Sequence, residues 1–304
     1  MDLYIDCGSV AYRMVHASTR RSGGGEVGSG LHLHYFLNTL RRYVREYLPD
    51  RVIVAFDTGY SPRRKALAAT YKAERGSKVR TPEALLAYQC AVRVIDQLRE
   101  VLPALGVRSL QLPCREADDI LAATVGQSFR AIIVSEDKDM LQLVDDKVSV
   151  YRPRADQLVR QRNFEDVTGY ANVDAWLLAK LMVGDNSDGV PGVPQVGPKT
   201  ALTIATAVGE YDLDRLFEYL DGDESSKREK RVLDHLDVLD LNLELLDLHR
   251  EVFDAGEMAL LREMRDGARA AATIGSAHAA LLGAGLQQIP SEIGTWFGPF
   301  QGLA

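Results

Sequence analysis

The 304-residue chain has only three cysteines, Cys7, Cys90 and Cys114. So odd and scattered a set excludes a disulfide frame or a thiolate zinc site and points to free thiols in a reducing compartment. The six histidines show no metal-ligand spacing. No apolar run reaches the roughly 18 residues of a membrane span. The start, Met1-Asp2-Leu3-Tyr4-Ile5-Asp6, lacks the basic residues and long apolar core of a signal peptide. These absences predict a cytoplasmic protein with no membrane partner. The glycine-rich stretch Ser22–Gly30 lacks the Gly-Lys-Ser/Thr ending of a phosphate loop and reads as a plain loop. An excess of positive charge is also missing, since the net charge is −7, whereas nucleic-acid binders are commonly basic. The acidity is local, however. Setting aside the nine carboxylates singled out below leaves the remainder at +2, so the charge balance is compatible with DNA.

What is present is an ordinary globular composition, 46% hydrophobic and 26% charged. Leu3-Tyr4-Ile5, Val52-Ile53-Val54-Ala55-Phe56 and Ala131-Ile132-Ile133-Val134 are short, nearly continuous apolar runs. Such runs predict parallel strands covered on both faces. Between them, Tyr35 through Leu48 and Val92 through Leu102 repeat at a helical period. Strands alternating with helices predict an α/β sheet. Beyond about residue 170 the strand-like runs stop and helical patterns dominate. This places a soft boundary near 175, with a sheet domain over 1–174 and a helical region over 175–304.

Asp6, Asp57 and Asp137 each stand just past one of the apolar runs, and in parallel sheets that edge is where ligands bind. Glu116-Ala117-Asp118-Asp119 opens a further helix, Asp139 follows Asp137, and Asp185 and Asp188 lie in a turn-rich stretch. Each acid alone has a plain explanation as a turn starter or a helix-terminus charge. Together they converge from at least four segments, and like charges so packed need a cation. Oxygen ligands without His or Cys suit Mg²⁺ or Mn²⁺.

Residues 61–80 carry Arg63, Arg64, Lys65, Lys72, Arg75, Lys78 and Arg80 against the single acid Glu74. The plain reading is a solvated helix face; the functional one is a phosphate-binding element in which Tyr71 offers a ring for base stacking. In Gly192-Val193-Pro194-Gln195-Val196-Gly197-Pro198-Lys199-Thr200, Gly192 and Gly197 can take positive φ and Pro198 suits the first turn of a helix. Such a helix start aims N–H groups at phosphate.

These residues carry a resemblance. Ile5-Asp6-Cys7-Gly8-Ser9, Ala55-Phe56-Asp57, Tyr71-Lys72-Ala73-Glu74-Arg75, Glu116-Ala117-Asp118-Asp119, Ser135-Glu136-Asp137-Lys138-Asp139, Gly184-Asp185-Asn186-Ser187-Asp188 and Gly192–Thr200 occur in this order over about residues 3–210. Together they resemble the flap endonuclease/5′–3′ exonuclease family. The resemblance implies an α/β, PIN-like parallel-sheet nuclease domain followed by a helix–three-turn–helix DNA-binding region, with a basic helical arch over about 61–90. It implies a structure-specific 5′-nuclease that hydrolyses DNA at single-strand/duplex junctions with two Mg²⁺, Mn²⁺ substituting. Asp6, Asp57, Glu116 and Asp118 look like ligands of a first ion, with Asp119 close by. Asp137, Asp139, Asp185 and Asp188 look like ligands of a second. Lys72 and Arg75 look like the pair that contacts the scissile phosphate. Tyr71, Arg63, Arg64, Lys65, Gly192, Gly197, Lys199 and Thr200 look like DNA contacts. Val193 and Val196 would offer carbonyls to K⁺. The implied partners of a monomer are flap, branched and nicked duplex DNA and RNA–DNA primers. Cys7 and Glu136 depart from the pattern, Glu136 as an extra carboxylate beside the second cluster.

Three other classes fit parts of the pattern. One, a phosphatase with Asp137 as nucleophile, would need an Asp-x-Asp pair after the first strand, where Asp6 is followed by Cys7 and Gly8. A non-catalytic junction binder would be missing ligands, whereas both clusters look complete. A PIN-type ribonuclease would lack the Gly192–Thr200 hairpin.

Overall fold

Strand β1 (Asp2–Asp6) is buried along its whole length because it lies mid-sheet, paired in parallel with β2 (Arg51–Ala55) on one side and β4 (Ala131–Val134) on the other. The computed structural model describes residues 1–21, 29–73, 81–222, 225–286 and 293–303. The six-stranded sheet has the order β3-β2-β1-β4-β5-β6, where β3 is Arg108–Leu110, β5 Val148–Arg152 and β6 Gln157–Val159. All pairings are parallel except β5 with β6. The chain builds outward from β1 to β3, then restarts on the other side at β4. That reversal opens a crevice at the carboxyl ends of β1 and β4.

Helices cover both faces. Alternate strand residues therefore enter different cores, as the two-residue strand period requires. Leu3, Ile5, Val52 and Val54 pack with α1 (Cys7–Arg21), α2 (Ser29–Tyr47) and α4 (Pro82–Val101). Tyr4, Ile53, Ala55 and Ile133 pack against α5 (Ala117–Val125). The short α3 (Pro62–Leu67) follows Asp57 directly, and Ser61 caps it by accepting from the Arg64 N–H. Of the glycine-rich loop, residues 22–28 lie outside the described residues, while Ser29 and Gly30 already belong to α2.

After α6 (Phe164–Thr168) the chain is helical. Asn172 caps α7 (Val173–Val183). A two-residue hairpin, Gly184–Asp185 with Val190–Pro191, leads to α8 (Pro198–Val208). The helices α9 (Leu213–Asp221) and α11 (Leu236–Leu246) share a third core with α7 and α8, built on Leu178, Met182, Ile204, Leu216 and Leu239, and the short α10 (Lys227–Lys230) lies against α8 and α9. The remainder turns back to the sheet. Leu261 of α12 (Ala255–Asp266) enters the core around Tyr4. Leu281 of α13 (Ile274–Gly283) and Trp296 and Phe297 of α14 (Ile293–Phe297) enter the core around Leu3, with Phe300 just beyond. Among the described residues, no helix is long and apolar enough to cross a membrane.

Candidate metal centre

Because β1 ends at the crevice, Asp6 is delivered there, and it is almost fully buried. Its carboxylate accepts from the Ser9 N–H at 3.0 Å and the Ser135 hydroxyl at 2.8 Å. The Ser135 oxygen in turn accepts from the Asp137 N–H at 3.0 Å, tying the ends of β1 and β4 together. Asp57, past β2, accepts from the Ala117 N–H at the start of α5. A Cβ placed on Gly8 would stand 2.8 Å from Asp57 Oδ2 and 3.7 Å from Asp6 Oδ1, so the start of α1 faces both carboxylates. Burial, then the charge of Asp57, pushes the Asp6 carboxyl up to about 7.

Glu116 opens α5 with its side chain buried. It accepts from the Ser61 N–H at 3.2 Å and the Tyr71 hydroxyl at 3.2 Å, and pairs with the Lys72 ammonium. Asp188 stands 3.5 Å from the same ammonium. Burial works against the charge on Lys72, but Asp118 and Glu116 outweigh it and hold the ammonium protonated. Half-buried Asp118 acts on carboxylates of both predicted clusters, raising Glu116 on one side and Asp137 and Asp139 on the other.

The second cluster forms around Lys180 of α7, which pairs with Asp139 and lies 3.5 Å from Asp185. Asp137 caps the turn Lys138–Leu143 by accepting from the Asp139 N–H, so its plain and functional readings coexist. Burial pushes the Asp139 carboxyl up to about 7, with Lys180 opposing. A groove of about 430 Å³ runs from Asp137, Asp139 and Asp185 past Trp176 and Lys180 to Pro198. There Gly197 caps α8 at φ −95. Lys199 is exposed and Thr200 half-buried on its first turn.

Several expectations need correction. Asp119 is buried with both oxygens turned to Arg64, at 2.9 and 2.7 Å; it is an ion-pair partner within the fold, not a face of the cluster. Arg64 is equally buried and so is not a DNA contact; burial opposes its charge, but Asp119 outweighs it. Tyr71 cannot stack on a base, because its ring is 3% exposed and its hydroxyl is spent on Glu116. The half-buried ring beside the lysines is instead Tyr60, with Lys65 Nζ 4.7 Å and Lys72 Nζ 5.9 Å from its centroid. Arg63 is tied to Glu244 of α11, which leaves Lys65 exposed.

The segment 61–73 thus lies against the carboxylates instead of standing over them. Arg75, with the rest of 74–80, lies outside the described residues. Glu136 lines the same groove but is held by Arg13 and the Arg154 N–H, and Cys7 is buried in the core. Gly192 and Gly197 do not use positive φ; that conformation falls to Gly184, Gly189 and Gln195. The Val193 carbonyl accepts from the Val196 N–H at 3.1 Å, closing a tight turn. Lys180, Ser135 and Ser61 escaped the sequence reading. Only Lys180 carried a signal, its spacing of five residues before Asp185.

Five of these carboxylates thus pair with three cations, Asp119 with Arg64, Glu116 and Asp188 with Lys72, and Asp139 and Asp185 with Lys180. Among the described residues no three acidic, His or Cys side chains close on one point as they stand, since Lys72 and Lys180 bridge the gaps. The donor set still fits a hard cation, being all carboxylate with a surplus of negative charge.

Comparison with known proteins covers both halves. The model of the 5′–3′ exonuclease N-terminal resolvase-like domain matches residues 2–169, and that of the 5′–3′ exonuclease C-terminal SAM fold matches 172–264. DNA polymerase I of Rhizobium leguminosarum is 30% identical over 280 residues, covering 86% of this chain and 26% of that protein. The chain therefore spans about a quarter of that relative's length. The 5′–3′ exonuclease of Aquifex aeolicus is 31% identical over 186 residues, 59% of this chain and 60% of its own. A bacteriophage T5 flap endonuclease, solved with DNA and metal ions, superposes with a TM-score of 0.68 at 18% identity, over 93% of this chain and 99% of that one. The Holliday junction-resolving enzyme GEN1, solved with product DNA and Mg²⁺, gives 0.58 at 16% identity over 99% of this chain and 70% of that one.

Proposed function

Because the chain belongs to the 5′–3′ exonuclease family, we propose that it is a divalent-metal-dependent 5′-nuclease that hydrolyses DNA where a single strand meets a duplex. The observation that carries the reading is the meeting of carboxylates from both matched regions at one sheet edge. Asp6, Asp57, Glu116, Asp118, Asp137 and Asp139 come from the first, and Asp185 and Asp188 from the second. Asp6, Asp57, Glu116 and Asp118 would hold one Mg²⁺ or Mn²⁺, and Asp137, Asp139, Asp185 and Asp188 another. Ions so held supply activation of a water and stabilisation of the leaving oxygen of a phosphodiester.

The chain's own groups do the rest. Ser135 and Ser9 fix Asp6, while Tyr71 and the Ser61 N–H fix Glu116. Lys72 and Lys180 neutralise the carboxylates, and the Lys72 ammonium, buried between Glu116 and Asp188, would turn to the scissile phosphate once ions take those carboxylates. The α8 start, with Lys199, would grip the backbone of the duplex without reading bases. One lone pair of the Val193 carbonyl, and the carbonyl of Val196, would be open to K⁺. The substrates would be flap, branched or nicked duplex DNA and RNA–DNA primers, taken by a monomer.

End-labelled 5′-flap DNA incubated with and without Mg²⁺ tests this. Cleavage at the junction only with the ion is expected. Binding without cleavage would make the protein a junction binder instead, and cleavage of RNA alone would make it a ribonuclease.

A further inference from the structure

Glu116 draws its orientation from neighbours that are themselves held from elsewhere. Ser61 offers it a backbone N–H at 3.2 Å. The Ser61 hydroxyl accepts from the Arg64 N–H at 3.2 Å and donates to both oxygens of Glu251, each at 2.9 Å. Glu251 is 8% exposed and lies just before α12, in the matched C-terminal region. It also pairs with Arg115, the residue immediately before Glu116. Arg115 is further held by Glu257 at 2.6 Å, by the Val252 carbonyl at 3.0 Å and by the ring of Phe253. Its own carbonyl accepts from the Thr58 N–H, one residue past Asp57.

One carboxylate from the helical region therefore clasps Glu116 from both sides, through Ser61 in space and Arg115 in sequence. The mechanism above uses neither Glu251 nor Arg115. Arg115 neutralises Glu251, so the clasp adds little net charge beside a site already crowded with carboxylates.

We infer that Glu251 is a positioning residue: by holding Ser61 and Arg115 it sets the direction of the Glu116 carboxylate, and through it the divalent-ion affinity of the sheet domain. The inference rests on the reading of Glu116 as an ion ligand. Any cation that takes up Glu116 must compete with the Lys72 ammonium. Once Lys72 withdraws, the Ser61 N–H and the Tyr71 hydroxyl remain as hydrogen-bond donors to the carboxylate, with the Arg64 guanidinium 3.8 Å from Oε1. Groups that orient a ligand in this way commonly change metal affinity or activity by about 10–100-fold when removed. The clasp also gives the helical region a direct hold on the chemistry. A movement of the segment around Glu251 would be felt at Glu116 without any change in the ligands themselves.

The test compares wild type, Glu251→Gln, Glu251→Ala and Glu257→Ala by calorimetric titration with Mn²⁺ and by the Mg²⁺ dependence of single-turnover flap cleavage. Both Glu251 variants should weaken Mn²⁺ binding by about 10-fold or more, with a matching rise in the Mg²⁺ needed for half-maximal rate and unchanged flap affinity in Ca²⁺. Glu257→Ala removes a partner of Arg115 but no contact to Ser61. It should lower the melting temperature while keeping wild-type ion affinity. Ser61→Ala combined with Glu251→Gln should be little worse than either alone, since both cut the same link. Glu251 variants that bind Mn²⁺ as wild type does, or that lose ion affinity only as far as Glu257→Ala does, overturn the inference and leave the nuclease reading standing. A wild type that neither binds Mn²⁺ nor cuts overturns both.

Discussion

The Lys72 N–H bonds to the Asp188 carbonyl at 2.7 Å, so the residue whose ammonium meets Glu116 is pinned by its backbone to the loop that carries another carboxylate. Lys72 holds this place at φ 52. Behind it, Gly189 lies so close to the Thr70 carbonyl that a Cβ would sit 2.4 Å from that oxygen. The sheet domain and the helical region therefore meet backbone to backbone at the site.

Lys72→Ala should lower the single-turnover rate on a 5′ flap by about 100-fold or more, the range for removing one preorganised phosphate-stabilising group. Flap affinity should hardly change. The ion-free protein should also melt earlier, because Glu116 is left buried without its cation, and Mg²⁺ should recover most of that loss. Rapid-quench kinetics and melting curves with and without Mg²⁺ check both; wild-type values in each would remove Lys72 from the site.

Ion-free stability should fall as pH rises from 6 to 8. The carboxyls of Asp6 and Asp139 are pushed up from 3.8 to about 7 by burial, with Asp57 adding to the shift of Asp6. An acid so raised favours the fold while it is protonated. Its contribution is complete below the unfolded value and is lost as pH passes through about 7. Divalent cations should reverse the trend, stabilising more at pH 8 than at pH 6. Thermal scans in EDTA and in Mg²⁺ measure this, and an ion-free melting temperature that climbs from pH 6 to 8 would contradict it.

Asp188→Asn should leave flap binding near wild type and slow cleavage by orders of magnitude, because the charge acts on the reacting phosphate in the transition state. It also removes a partner of Lys72. A single-turnover rate close to wild type would place Asp188 outside the centre.

Lys199→Ala should weaken duplex binding for all sequences alike and reduce the log–log salt slope by about 1, the share of one released counterion. Fluorescence anisotropy across a salt series reads both numbers. An unchanged slope would mean that the start of α8 does not meet phosphate.

The strands that place the chemistry were legible because each is a short apolar run with an acid at or just past its end. β3, with three residues, and β5–β6, with polar positions at Ser149 and Gln157, carry too little pattern to stand out. The acids of the candidate site stood out as a set, since their types and order are unusual together. Their partners were not. Arg64 and Lys65 are neighbours in one basic run, yet one is buried against Asp119 and the other is exposed. Which of them faces inward is decided by α3 and its Ser61 cap, a tertiary fact. Tyr71 misled for the same reason: a tyrosine beside a lysine suits a stacked base as well as a buried hydroxyl.

Phe297 and Phe300, close to the end of the described chain, lie in the same core as Leu3 and Ile5. On a ribosome β1 emerges long before the aromatic residues that close its core. The apolar face of β1 must therefore wait while the intervening sheet and helices are made before it is fully covered. Exposure of that kind invites mispairing. The chain is thus committed to a late closing step, in which the helices after residue 273 return across the finished sheet and seal it.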